Sequence, residues 1–284
     1  MSINGHHQFP VRIPNLELSP DLPKYFAGGD PVLSSFFAAL STLFPDGERF
    51  FITSIRSNMD KIEEGDLKES MRSFIGQEAH HGHMHDAFNE WLALKGYPVK
   101  GPLSVLGKGI KYLYKLTPTL QVAYTSSFEH FTALFGESLT DQDPVLQEET
   151  AKWDQTILKL WLWHGIEENE HKAVAFDVLQ KVNNSYWLRI ITMIIVSLFT
   201  MLMVGLLTSY YLIVDRKFKP SLLWHTFKQA WISPGFLRRT VRPWFAYFRR
   251  DFHPWERDNR ENLAEMARKL DEAGMFEYAK PRAA

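Results

Sequence analysis

Two segments of this sequence, Glu78-Ala-His80-His81 and Glu168-Asn-Glu170-His171, both read Glu-x-x-His. Residues three apart on a helix share a face, so the carboxylate and the imidazole of each pair can reach one ion. Taken singly, each Glu also suits a surface salt bridge and each His a solvated or packed ring. Two lone carboxylates shift the balance. Glu48 sits beside the apolar positions Phe44, Phe51 and Ile52, and Glu129 lies in the stripe Val122, Ser126, Ala133 and Gly136. A carboxylate in a core stripe is costly unless it is paired or bound to metal. The order along the chain is Glu, Glu-x-x-His, Glu, Glu-x-x-His, which is how four-helix carboxylate proteins hold two metal ions.

Other groups extend the candidate site. His164 lies four before Glu168 and on its face, so it is a candidate third imidazole; the alternative is a core ring beside Trp161. Glu167 points about 100° away from Glu168, where it can accept the ring N–H of His81 and fix that imidazole. His85, four after His81, supports the site or lines a pocket, whereas His80, His83 and His130 point elsewhere. Gly82, Ser126, Ala133 and Gly136 suit either a substrate pocket or close helix packing. The chain has no Cys, which excludes disulfides, thiolate metal sites and thiol catalysis. A metal here must sit on His, carboxylates or water, which suits two ions of iron, with Mn or mixed Mn/Fe as alternatives.

Positioning these residues requires helices. Among the 284 residues, apolar positions recur at helical spacing from Pro31, and Pro45 is expected to restart or kink the first helix. A second helix is predicted over 66–94, a third over 119–138 and a fourth over 145–182. Residues 97–117, interrupted by Pro and Gly, are read as a long connection that has room for a short helical piece. A short link, a long crossover and a short link give the ferritin-like connectivity. The fold class is therefore all-α: a ferritin-like four-helix bundle (30–186) behind an irregular, Pro-bearing arm (1–29). An apolar helix (187–215) and a basic, amphipathic helical region (216–284) follow, the latter ending in a solvated helix near 256–274.

Residues 190–214 form an uncharged run long enough for a bilayer core of about 30 Å. Residues 215–284 then hold 15 Lys and Arg against 9 Asp and Glu, although the whole chain has a net charge of −1. A large soluble core or a dimer interface would also use such a run. We expect membrane contact instead, as a bent or shallow insertion with the basic, Trp-rich tail among the headgroups. The first 30 residues carry no signal-like pattern, so the metal domain is expected on the cytoplasmic side. No nucleic-acid partner is expected, and a homo-oligomer is compatible.

Several segments resemble a bacterial family described as predicted metal-dependent hydrolases. They are FPDGERFF (44–51), IGQEAHHGHMH (75–85), FEHFTALFGE (128–137) and WLWHGIEENEHKAVAFDV (161–178). The likeness covers most of 10–275, including the FHPW stretch at 252–255. The His-x-x-x-Glu-x-x-His element (164–171) is also similar to that of di-iron arylamine N-oxygenases, which share a ferritin-like core and use a third His ligand.

Three functions follow. The first expectation is an O2-activating di-iron oxygenase or oxidase acting on an apolar, lipid-like small molecule at a membrane. The second is a two-metal hydrolase of an ester or phosphoester, against which no Lys or Arg is evident on the metal face. The third is a non-catalytic metal-binding protein.

Overall fold

The computed structural model describes residues 9–279. It is all-α apart from one two-stranded ladder. The bundle is built from α1 (Pro31–Arg56), α2 (Asp66–Leu94), α4 (Pro118–Leu139) and the pair α6 (Gln155–His171) and α7 (Val174–Val182), with α3 (Lys100–Leu113) in the crossover and a short α5 (Pro144–Thr150).

Helix starts follow capping chemistry. Asp30 accepts from the amides of Val32 and Leu33 ahead of Pro31, and Asp154 accepts from Thr156 and Ile157. Asp143, followed by Pro144, caps α5. The predicted single helix over 145–182 is instead three helices: Asp143 begins α5 and Asp154 begins α6, whereas α7 follows α6 after Ala173 with no side-chain cap. Pro45 does not restart α1, which runs through it. The carbonyl that Pro45 leaves without a helical partner, that of Ser41, accepts from Asn89 Nδ2 of α2 at 2.9 Å.

Each bundle helix feeds two apolar clusters with polar residues between them. One cluster gathers Phe37 of α1, Phe88 and Trp91 of α2, Leu139 of α4, and Leu160 and Trp163 of α6. The other gathers Phe50 of α1, Met71 and Phe74 of α2, Val122 of α4 and Val178 of α7. Glu48, Glu78, Glu129 and Glu168 fall between the two sets on their helices and are buried. Gly136 and Gly165 set the spacing of α4 and α6: a Cβ on Gly136 would lie 2.7 Å from the Gly165 carbonyl oxygen. Close helix packing, the second option for Gly136, is thus what that glycine serves.

α8 (Tyr186–Val214) lies along the flank of the bundle, against α1 and α4. Thr192 meets Ser127 of α4 near one end, and Tyr211 meets Thr42 of α1 near the other. Its outer face exposes Ile191, Ile195, Leu198, Leu202 and Leu206. Beyond it come α9 (Pro220–Trp231), α10 (Phe236–Ala246) and α11 (Arg260–Glu272). α11 was expected as a solvated cap, but it buries Leu263, Ala267 and Leu270 and packs on α6.

The N-terminal arm is not wholly irregular either. Strand β1 (Arg12–Pro14) pairs antiparallel with β2 (Phe276–Tyr278), with Arg12 opposite Tyr278. This clasp fastens the arm across the end of the chain and points Arg12 inward, where it is 5% exposed.

Candidate metal centre

The bundle brings all seven candidate ligands into one buried layer. Glu48, Glu78, His81, Glu129, His164, Glu168 and His171 are each at most 4% exposed. Two poles can be distinguished. At one, His171 Nε2 lies 3.2 Å from Glu78 Oε1, 3.2 Å from Glu129 Oε2 and 3.5 Å from Glu168 Oε2. At the other, His81 Nδ1 lies 3.4 Å from Glu168 Oε1 and 3.6 Å from Glu78 Oε1, and His164 Nε2 lies 3.4 Å from Glu168 Oε1. Glu48 groups with Glu78 and His81 at this second pole. Glu78 and Glu168 take part in both.

The donor set fits metal ions on an observation independent of spacing. Both oxygens of Glu48, Glu78 and Glu129, one of Glu168, and the inward nitrogens of His81, His164 and His171 are buried without a hydrogen-bond partner. Buried polar atoms are rarely left so, and a cation between them would satisfy the whole set. Burial, reinforced by neighbouring carboxylates, pushes Glu48 and Glu129 well above the ordinary carboxylate range, and burial raises Glu78 too. Burial also acts to raise Glu168, but His171 and His81 outweigh it and hold Glu168 well below. Burial opposes charge on His81 and His171, yet their carboxylate partners hold both well above the ordinary histidine value. His164, buried and repelled by His81, falls well below it. The metal-free site therefore keeps protons where cations would otherwise sit.

Outer contacts orient two of the rings. His81 Nε2–H donates to Glu167 Oε2 at 3.1 Å, leaving Nδ1 to face Glu78 and Glu168. Gln77 donates from Nε2 to the Pro10 carbonyl and to Glu170, so its oxygen must accept from His171 Nδ1–H at 3.0 Å. Glu167 and Glu170 are in turn held by Arg12, whose Nη1 and Nη2 each lie 2.8 Å from Glu170. His85 touches His164 at 3.2 Å, and burial pulls it down to about 3. His80 is half-buried and His83 exposed, whereas His130 is buried against Tyr247 and Phe252.

Arg12, Gln77, Ser41 and Asn89 are the residues that sequence reasoning did not find. Arg12 reaches the site through a fold-level clasp with no local signal. Gln77 adjoins Glu78 but carries no metal-ligand pattern. Pro45 was the available signal for Ser41, since a proline inside a helix frees the carbonyl four residues earlier. A cavity of about 430 Å³ is lined in part by Phe9, Arg12, Glu170, Trp255 and Arg268 and by none of the seven ligand candidates.

No curated protein and no solved structure matches the chain. A family model described as predicted metal-dependent hydrolase matches residues 10–258, a span that includes every residue of the buried layer. The match bears out the resemblance read from the four segments, and the chain belongs to the predicted metal-dependent hydrolase family.

Proposed function

We propose that this protein is a two-metal enzyme and that its reaction is hydrolysis of an ester or phosphoester. The unpartnered, inward-facing oxygens and nitrogens of four helices carry the metal part of this reading, and the family description supports hydrolysis ahead of the oxidation first expected. Bound between these helices, two divalent ions would polarise a carbonyl or phosphoryl oxygen and acidify water. Glu129 and His171 would serve one ion, Glu48, His81 and His164 the other, and Glu78 and Glu168 both. Arg12 steadies the His81 ring through Glu167, and Gln77, itself held by Glu170, orients the His171 ring directly. The layer's burial keeps bulk water away.

One observation favours a second reading, O2-dependent oxidation at two irons. Among the described residues, no Lys or Arg forms an ion pair with Glu48, Glu78, Glu129 or Glu168. A hydrolase would use such a cation against a developing oxyanion. One experiment separates the readings. Metal-free protein is loaded with zinc, manganese or ferrous iron and assayed without O2 on a panel of carboxylic and phosphate esters. O2 uptake by the ferrous form is then measured with apolar substrates. Turnover with redox-inert zinc supports hydrolysis, turnover only with iron and O2 supports oxidation, and neither in a fully loaded protein sinks both.

Membrane contact at the cytoplasmic face belongs to the same proposal. Only 33% of the most apolar stretch of α8 is buried, and an apolar outer face of this kind marks an interaction surface. Trp224, Phe227 and Trp231 of α9 are exposed as well, with Lys217, Lys219, Lys228 and Arg242 as basic neighbours in the sequence. Because α8 is tied lengthwise to α1 and α4, a shallow insertion suits it better than a crossing. Such a site would meet an apolar substrate at the interface.

A further inference from the structure

The third imidazole, His164, is oriented by a longer chain of contacts that begins at a proline. Pro45 has no N–H, so the Ser41 carbonyl lacks its helical partner and accepts from Asn89 Nδ2 at 2.9 Å. That contact fixes the Asn89 amide, because the opposite orientation would set two oxygens against each other. Asn89 Oδ1 is then left to accept the Ser41 hydroxyl, at 3.0 Å. With its proton so committed, Ser41 Oγ can only accept from His85 Nδ1–H, at 2.9 Å. His85 is fully buried with no ion pair among the described residues, so it is a neutral ring whose Nε2 is an acceptor. The nitrogen facing it at 3.2 Å, His164 Nδ1, must therefore carry a proton. His164 Nε2 is left as a bare lone pair 3.4 Å from Glu168 Oε1, with no hydrogen-bond partner. Phe44 stacks on the His164 ring at 4.8 Å and 7°, which hinders the rotation that would exchange its nitrogens.

We infer that Pro45, Asn89, Ser41 and His85 form a relay that locks His164 in its Nδ1–H tautomer and aims Nε2 as a ligand at the metal pole of Glu48 and His81. This rests on the two-metal reading. It makes His85 a positioning residue rather than a ligand, although His85 lies close enough to Glu48 and His164 to be taken for one. A lone pair facing a carboxylate oxygen is repulsive, and a cation between them removes the conflict. The relay also accounts for a proline in the middle of α1: at this position its missing N–H sets the direction of every later hydrogen bond.

Two readouts test it. Long-range proton–nitrogen spectra of the histidine rings in metal-free protein, assigned with His164→Gln and His85→Gln, should show His164 protonated on Nδ1. In Ser41→Ala that signature should be lost. Metal titrations with zinc and with ferrous iron should show one of two ions binding about 10–100-fold more weakly in Ser41→Ala and His85→Gln, with the other ion unchanged and the melting curve cooperative. X-ray absorption of the zinc form should count one imidazole fewer per two ions in Ser41→Ala. His164 protonated on Nε2 in the wild type, or unchanged affinity for both ions in the two variants, overturns the relay. Absence of ions from the wild type overturns the two-metal reading and the ligand role with it. Because the tautomer is read without metal, the two failures remain distinct.

Discussion

Arg12 donates to Glu167 Oε1 from both its backbone N–H and its Nη1, each at 3.3 Å, across 155 residues of chain. Glu167 is fully buried and turns its other oxygen to His81. Removing the guanidinium leaves that carboxylate without its cation, a change that typically costs about 3–5 kcal/mol. Arg12→Met should lower the melting temperature and weaken the ion at the His81 pole, measured by thermal unfolding and metal titration. Unchanged values in both would remove Arg12 from the site's support.

The two poles predict a split pattern of metal loss. Glu129→Ala and His171→Ala should each lose one of two ions per chain, and Glu48→Ala the other, by elemental analysis. Glu78→Ala or Glu168→Ala should lose both, because these carboxylates take part in both poles. Full loading of Glu129→Ala and His171→Ala would refute the assignment.

Metal binding should strengthen with pH. Glu48, Glu78, Glu129, His81 and His171 all have folded-state values raised above those of the unfolded chain. In the window from the ordinary carboxylate range up through that of histidine, the metal-free fold holds protons that the unfolded chain has released. Its stability therefore falls as pH rises through that window. Glu168 is lowered, and its contribution is already complete above the ordinary carboxylate value. Ions compete with the held protons, so the gain in melting temperature on adding metal should grow from pH 5 to pH 8. A gain that shrinks over this range would contradict the protonation scheme.

Gly136→Ala should destabilise by about 1–3 kcal/mol, since the added methyl meets backbone rather than a flexible side chain. The strain would push α4 off α6 and move Glu129 from His171, so one ion should weaken as well. Normal stability and loading would show that the two helices can separate without cost.

The intact protein should float with vesicles containing anionic lipid and should need detergent for release from membranes. Replacing Ile195, Leu198 and Leu202 with Ser on the outer face of α8 should abolish flotation while leaving metal content unchanged. Recovery of the wild type as a detergent-free soluble species would refute membrane contact.

The helical class, most of the helix positions and the candidate metal donors were legible in the sequence because all are local. Glu-x-x-His spacing, the carboxylates in apolar stripes and the uncharged run need only helical periodicity to be read, and α2 spans the residues expected, Asp66–Leu94. What the tertiary structure alone decided is how those atoms are oriented. Asp143 and Asp154 start α5 and α6 separately by capping, α7 follows as a third piece, and α1 passes through Pro45 because a side chain from another helix serves the freed carbonyl. The clasp of β1 on β2 places Arg12 beside Glu167, and no pattern within residues 9–14 announces it, since three-residue strands have no periodicity to read. The candidate ligands follow from residue type and spacing. Ligand tautomer follows from hydrogen-bond partners contributed by helices far apart in sequence, and only the folded chain brings Asn89, Ser41, His85 and His164 into line.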